Sequence, residues 1–253
     1  MLNRKLADRL KKKVERGAVL FLFGPRQSGK TFLVKQLFPD FIYLSLEDPE
    51  LRFQALNDPK KFLLTLPYQL ILDDVHLVPE LYGLLSSYAH LYFKDKKWII
   101  LSPVNGFRKM VSPVPLSGYV SFMLLLPLGR YELITGREIC EEVLFSGGFP
   151  AVARDPASCS GFFSAYVSSF LQKDLWLLQR IRNIPLFLRF LKACAVRAGQ
   201  TLDYSGLARE TGISVNAAKQ WVQLLNDAFW IFLLPPYHTS FGKRLVRTPK
   251  IYF

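Results

Sequence analysis

Eight consecutive residues, Gly24-Pro25-Arg26-Gln27-Ser28-Gly29-Lys30-Thr31, set two glycines, a lysine and a hydroxyl at the spacing of a phosphate-cradling loop. Gly24 and Gly29 allow a turn tight enough for successive backbone N–H groups to point inward at phosphate oxygens. Lys30 is expected to reach the β and γ phosphates, and Thr31 to place its hydroxyl on Mg²⁺. Some forty residues on, Asp73 and Asp74 close the apolar run Gln69-Leu-Ile-Leu72. Acids at the end of a buried strand suit metal and water chemistry, with Asp73 on the metal side and Asp74 as the base. Ser102, after Trp98-Ile-Ile-Leu101, reads either as a sensor beside the γ-phosphate or as an ordinary polar residue ending a strand.

Such a loop needs a strand before it and a helix after it. Ala18 to Phe23 is a continuous apolar run, as expected of a buried parallel strand, and Phe32, Leu33 and Leu37 recur at helical spacing. Strands are also expected at 41–46, 69–72 and 98–101, alternating with helical stretches over residues 18–130. The predicted fold is therefore α/β, a doubly wound parallel sheet with its ligand at the carboxyl ends of the strands. Glu47-Asp48-Pro49-Glu50 reads as a loop or as helix N-cap chemistry.

Past residue 140 the pattern changes. Gly147-Gly148-Phe149-Pro150 is a breaker cluster, and residues 162–191 are mostly helical in spacing with Pro185 interrupting them. Residues 202–225 then show a helix, a Gly212 turn, a Ser214 N-cap and a second helix, which is helix-turn-helix spacing. Leu207, Ala208, Ile213, Val215, Ala218 and Val222 are expected in its core, with Ser214, Asn216, Lys219 and Gln220 outward. A strand over Phe229 to Leu234 and a basic segment with Lys243, Arg244, Arg247 and Lys250 complete a winged-helix-like pattern. Asn216 and Lys219 on the second helix, with Lys243, Arg244 and Arg247 on phosphates, are the candidate DNA contacts. Docking of a protein partner is the alternative. The expected division is an N-terminal domain over 1–135, a helical linker over 136–190 and the winged-helix-like domain over 191–253.

The 253 residues carry 33 Lys and Arg against 20 Asp and Glu, a net charge of +13. The excess is +5 over residues 1–17, +2 over 18–185 and +6 over 186–253. An anionic partner is thus expected at the ends of the chain rather than over its whole surface. Near the N-terminus Leu2, Leu6, Leu10 and Val14 recur every fourth residue, predicting a basic amphipathic helix that stops at Gly17. That helix serves either a membrane surface or nucleic acid, or, as the preferred reading, packs with a solvated basic face. Cys140, Cys159 and Cys194 show neither a disulfide framework nor zinc spacing, which favours a reducing cytoplasm. No apolar run approaches the length that spans a bilayer, so a soluble, unprocessed protein is expected.

Taken together, GPRQSGKT (24–31), LDDVHLVPEL (72–81), SGGFP (146–150), FLQKDL (170–175), the 198–225 segment and LPPYHTSFGKRLVRTPKIYF (234–253) resemble a prokaryotic family of AAA-like P-loop ATPases. Its members join an AAA_14 domain to a DUF4143 region, and the resemblance covers nearly the whole chain. It implies ATP binding and Mg²⁺-dependent hydrolysis, with Gly24 to Thr31 and Asp73 carrying over directly. Three positions depart from the family. Asp74 stands where glutamate is usual, Ser102-Pro103-Val104-Asn105 replaces a TGS-type stretch, and Gly118-Tyr119 replaces a GR pair that could stabilise charge on the phosphates. Relatives usually continue into a region resembling a nuclease fold, so the chain ending at Phe253 reads as a shortened member without nuclease chemistry.

These features give a main reading, an ATPase coupling nucleotide state to a winged-helix module. The alternatives are an ATP-holding DNA- or protein-binding switch that hardly hydrolyses, and a degenerate member with neither activity. The oligomeric state is left open, although AAA-like relatives often form rings.

Overall fold

The structure is a computed structural model, describing residues 4–17, 19–92, 95–105, 119–133, 141–173, 181, 183–237 and 248–253. The chain divides into two compact units, Met1–Val167 and Ser168–Phe253.

The first unit is built on five parallel strands: β1 Val19–Phe23, β2 Ile42–Ser45, β3 Gln69–Asp73, β4 Lys97–Ser102 and β5 Val120–Leu124. Their order across the sheet is β2-β3-β4-β1-β5. All five residues of β1 are buried, as continuous apolar runs in parallel sheets require. Because side chains alternate across a strand, β1 serves two cores. Leu20 and Leu22 join a cluster with Leu33 and Val34 of α2 (Lys30–Leu37) and Leu10 and Val14 of α1 (Ala7–Arg16). Phe21 and Phe23 stack with Phe122 of β5, and Phe21 with Tyr82 of α5 (Glu80–Tyr92).

The basic N-terminal helix is thus a packing element, its Leu10 and Val14 in the core and Gly17 closing it as expected. Arg4 is buried as well: its guanidinium pairs with Glu132 at 3.4 Å and donates to the Leu126 carbonyl. Part of the N-terminal positive charge is therefore matched inside the unit. Asp48 accepts from the backbone N–H of Glu50 and Leu51, capping α3 (Pro49–Asn57) with Pro49 in its first turn. A second Asp-Pro start, Asp58-Pro59, opens α4 (Pro59–Thr65).

Beyond β5 the described residues form the short helices α6 (Arg130–Leu133), α7 (Glu141–Ser146) and α8 (Pro150–Arg154), and then α9 (Cys159–Lys173). In the second unit, α10 (Ile184–Val196) carries Pro185 in its first turn rather than being broken by it, because Asn183 caps the backbone N–H of Leu186 and proline suits that turn. α11 (Tyr204–Thr211) ends at Gly212 in the left-handed region, φ +76°. α12 (Val215–Asp227) opens on Ser214, whose hydroxyl accepts from Ala217 N–H at 3.1 Å. Leu207, Ala208, Ala218 and Val222 are core residues as expected, but Val215 is 40% exposed because it stands in the first turn of α12. The strand expected from Phe229 is shorter, β6 Phe232–Leu234. Phe229 takes φ +60° and Trp230 N–H donates to Leu225 O at 2.8 Å, so these residues close α12 before the strand starts. β6 pairs antiparallel with β7 (Lys250–Tyr252), and Thr201, between α10 and α11, bridges to Lys250.

Candidate functional site

The loop 24–29 leaves β1 at the carboxyl end of the sheet and feeds directly into α2. Gly24 cannot be replaced without moving backbone, since a Cβ there would lie 2.0 Å from the Leu125 carbonyl oxygen. Gln27 (φ +59°) and Gly29 (φ +92°) take left-handed conformations that wind the chain into the helix. Gly29 caps α2 without a side-chain bond, leaving the first backbone N–H groups of the helix for an anion. Ser28 is buried, and its hydroxyl has no hydrogen-bond partner among the described residues.

Lys30 is 7% exposed, and its ammonium donates to the carbonyls of Gly24 at 2.7 Å and Pro25 at 2.8 Å. The loop thus curls around its own cation. Thr31 Oγ1 donates to Asp73 Oδ2 at 2.7 Å, although β1 and β3 are separated by β4, a span of about 10 Å at ordinary strand spacing. The Asp73 carboxylate is held from two further sides, by Tyr43 OH on Oδ2 at 3.1 Å and by Asp74 N–H on Oδ1 at 2.8 Å.

Asp74 leaves the strand in the left-handed region, φ +57°, a conformation that aspartate tolerates better than most residues. Ser45 donates to its Oδ2 at 3.1 Å, while Arg26 Nη1 stands 4.0 Å and His76 Nδ1 3.9 Å from its Oδ1. Burial pushes the carboxyl up to about 6, with Asp73 and Glu47 adding to the rise and Arg26 and Ser45 opposing it. His76 is fully buried, and burial, then Arg26 and Lys30, hold its pKa down to about 3.

The structure therefore brings Gly24 to Thr31, Asp73 and Asp74 to one edge of the sheet. Ser102 is adjacent, in register with Phe23 on the next strand. It is fully buried, and its hydroxyl exchanges 3.1 Å hydrogen bonds with the backbone of Val104. Tyr119 lies elsewhere: its carbonyl accepts from Val19 N–H at the entry of β1. Five strand residues, about 16 Å, separate that point from the loop. Absence of an arginine at Tyr119 consequently removes nothing from the loop of its own chain. Asn216 and Lys219 are exposed on α12, with Lys219 Nζ 5.9 Å from the centre of the Tyr204 ring. Lys243, Arg244 and Arg247 lie outside the described residues.

Three side chains at the site, Tyr43, Ser45 and His76, and the position of the breaker cluster beside the loop are not expected from the sequence. Tyr43 and Ser45 share one face of β2, and the period-two spacing at a strand's carboxyl end was the available signal. His76 follows the two aspartates closely enough to fold back on them. The breaker cluster 147–150 runs beside the loop. Gly148 O accepts from Leu128 N–H at 2.6 Å, a Cβ on Gly148 would lie 2.2 Å from Leu128 O, and Pro150 Cγ is 3.8 Å from where a Gly29 Cβ would sit. Phe149 packs against Phe162 and Tyr166 of α9 with ring centres 5.3 and 5.1 Å away.

Residues 16–134 match the family described as AAA domain. Residues 137–253 match a domain of unknown function, DUF8612, and not the DUF4143 region expected there. Two curated relatives, the uncharacterized proteins Mb2031c of Mycobacterium bovis and Rv2008c of Mycobacterium tuberculosis, are each 26% identical over 260 residues, covering 99% of this chain and 57% of theirs. The chain thus spans little more than half the length of these relatives. Among solved structures, the Walker-type ATPase PABY2304 of Pyrococcus abyssi is similar with a TM-score of 0.61 at 15% identity, over 99% of this chain and 93% of that one. The parallel five-stranded sheet and its loop have the fold of a P-loop NTPase. Among the described residues, no helix is long and apolar enough to cross a membrane.

Proposed function

We propose that the first unit binds ATP with Mg²⁺ and hydrolyses it, and that the nucleotide state governs what the second unit binds. The observation that carries this reading is the convergence of Lys30, Thr31, Asp73 and Asp74 on one loop, with Thr31 and Asp73 2.7 Å apart. A hydroxyl and a carboxylate are hard oxygen donors, and with the uncapped N-terminus of α2 they fit a magnesium phosphate group. Thr31 and Asp73 would hold Mg²⁺, which supplies neutralising charge to the phosphate oxygens.

The remaining work falls to the chain itself. Lys30 exchanges its bonds to Gly24 O and Pro25 O for phosphate oxygens. Asp73 keeps its orientation through Tyr43 and the Asp74 N–H. Asp74, ionised above a pKa of about 6, takes the proton of the attacking water, and Ser45 fixes the oxygen that does not. ATP turnover that is abolished by Lys30→Ala supports the reading, and absence of turnover in the intact chain contradicts it.

A second reading, an ATP-holding switch with slow hydrolysis, is favoured by Asp74 itself. Its side chain is one methylene shorter than glutamate, Ser45 donates to one of its oxygens, and Arg26 stands 4.0 Å from the other. A misplacement of about 1 Å can cost on the order of 100-fold in rate. A faster rate in Asp74→Glu would select this reading.

For the second unit we propose a winged-helix module that contacts DNA. The order α10, Thr201 bridge, α11, α12 and the β6–β7 hairpin supports it, as does the polar, exposed start of α12 at Asn216 and Lys219. The segment between β6 and β7 contributes Lys243, Arg244 and Arg247 with no acidic residue between 235 and 249.

A further inference from the structure

Arg26 and His76 are given no part by the mechanism above, yet they meet beside its proposed base. Arg26 Nη2 lies 3.3 Å from His76 Nε2, Arg26 Nη1 4.0 Å from Asp74 Oδ1, and His76 Nδ1 3.9 Å from the same oxygen. The three side chains close a triangle whose corners belong to the phosphate loop, the end of β3 and the turn behind it.

The chemistry of the triangle fixes its protonation. A guanidinium has donors only, so His76 Nε2 must accept, and its single proton sits on Nδ1, facing Asp74. Full burial beside a cation holds the ring neutral. An imidazole in this state takes one branch of the Arg26 fork, while its own Nδ1, 3.9 Å from Asp74 Oδ1, lies beyond hydrogen-bond distance of the oxygen that the other branch faces. Ser45 already holds Oδ2, so Oδ1 is the remaining degree of freedom of the Asp74 carboxylate.

We infer that His76 is a positioning residue of the nucleotide site, which acts through Arg26 to fix the Asp74 carboxylate relative to the phosphate loop. This inference rests on the proposed ATPase reading for its kinetic consequence but not for its geometry. It also assigns Arg26 a role distinct from phosphate contact, namely as the link that makes the position of Asp74 follow the loop.

The test uses the whole chain and two independent readouts. The first is kinetic. His76→Leu is expected to lower kcat by roughly 10- to 100-fold, the scale of losing an outer orienting partner, while the Kd for ATP stays within about 3-fold. His76→Gln, which offers a carbonyl oxygen near the Nε2 position, should recover most of the rate. In an Arg26→Ala background, His76→Leu should change kcat by less than about 2-fold, because its effect is routed through the arginine. Independent, multiplicative losses, or a glutamine variant as impaired as the leucine, overturn the inference.

The second readout does not need turnover. The chain has three histidines, so their ring nitrogens are separable by ¹⁵N-labelled NMR. A neutral His76 protonated on Nδ1, with an Nε2 resonance that moves in Arg26→Ala, is the expected result. A proton on Nε2, or a ring indifferent to Arg26, overturns it. Lack of ATP turnover in the unaltered chain would count against the ATPase reading alone, and the NMR result would still decide the role of His76.

Discussion

Thr31 Oγ1 and Asp73 Oδ2 stand 2.7 Å apart, joining the first turn of the helix after the loop to the end of a strand two positions away in the sheet. Nothing local in sequence joins them, since they stand 42 positions apart. The contact exists because β1 and β3 end at one edge and α2 starts over it. If the pair is a metal site, Thr31→Val should leave the fold intact while weakening the Mg²⁺ dependence of ATP binding. Titration of ATP with and without Mg²⁺ checks this, and an unchanged metal dependence would remove Thr31 and Asp73 from that role.

Asp74 provides a prediction about rate. Asp74→Asn keeps shape and the Ser45 hydrogen bond but cannot take up a proton. Hydrolysis should fall by about 10²- to 10⁴-fold with ATP affinity retained. In the unaltered chain kcat should rise as pH passes upward through about 6, where the buried carboxyl ionises. A rate that is flat between about pH 5 and 7 would argue that another group, or none, acts as base.

The buried histidine gives a stability prediction of opposite origin. Its folded pKa, about 3, lies below the ordinary value of 6.5, so below pH 6.5 the unfolded chain binds a proton that the folded chain refuses. The stabilising contribution is therefore complete above 6.5 and declines as pH falls toward 3, by up to about 1.4 kcal/mol per pH unit. Urea unfolding at about pH 7, 5.5 and 4.5 should show the unaltered chain losing stability faster than His76→Gln. Parallel loss in both would mean that His76 is protonated in the folded state.

Much of this was legible in the sequence, for identifiable reasons. The glycine-bounded loop, the apolar strands before Gly24 and Asp73, and the Gly212 and Ser214 signals are local patterns, and each sits where its spacing indicates. What escaped is non-local. Tyr43 and Ser45 acquire meaning only when β2 and β3 pair, with Ser45 opposite Asp73, and His76 only when the loop after β1 brings Arg26 to it. The distance of Tyr119 from the loop likewise follows from register: it precedes a strand whose other end faces the site. The shortened β6 failed for a different reason, since Phe229 and Trp230 look strand-like by composition but are used to stop α12.

Gly148 offers a packing test of the turn beside the loop. Alanine there would drive a Cβ to 2.2 Å from the Leu128 carbonyl oxygen, and backbone rather than a flexible side chain must yield. Gly148→Ala should destabilise the first unit by about 1–3 kcal/mol, the range for forced overpacking, measurable by urea unfolding. No loss would show that the turn is not held against Leu128.

For the second unit, DNA binding through α12 and the basic segment should weaken steeply with salt. Neutralising Lys243, Arg244 and Arg247 together should flatten that dependence by a slope of about 3, read by fluorescence anisotropy across salt concentrations. An unchanged slope would exclude the segment from phosphate contact, and absence of binding even at low salt would leave the protein-docking alternative.

Nucleotide binding at the loop underlies every role proposed for the first unit, and thermal unfolding with and without Mg-ATP tests it directly. Ligand at about 100 times its Kd should stabilise the chain by roughly 2.7 kcal/mol, a readily detected rise in Tm. The predicted result is a rise with Mg-ATP that disappears in Lys30→Ala. An unchanged Tm at saturating Mg-ATP, or an equal rise in Lys30→Ala, would contradict nucleotide binding at this loop.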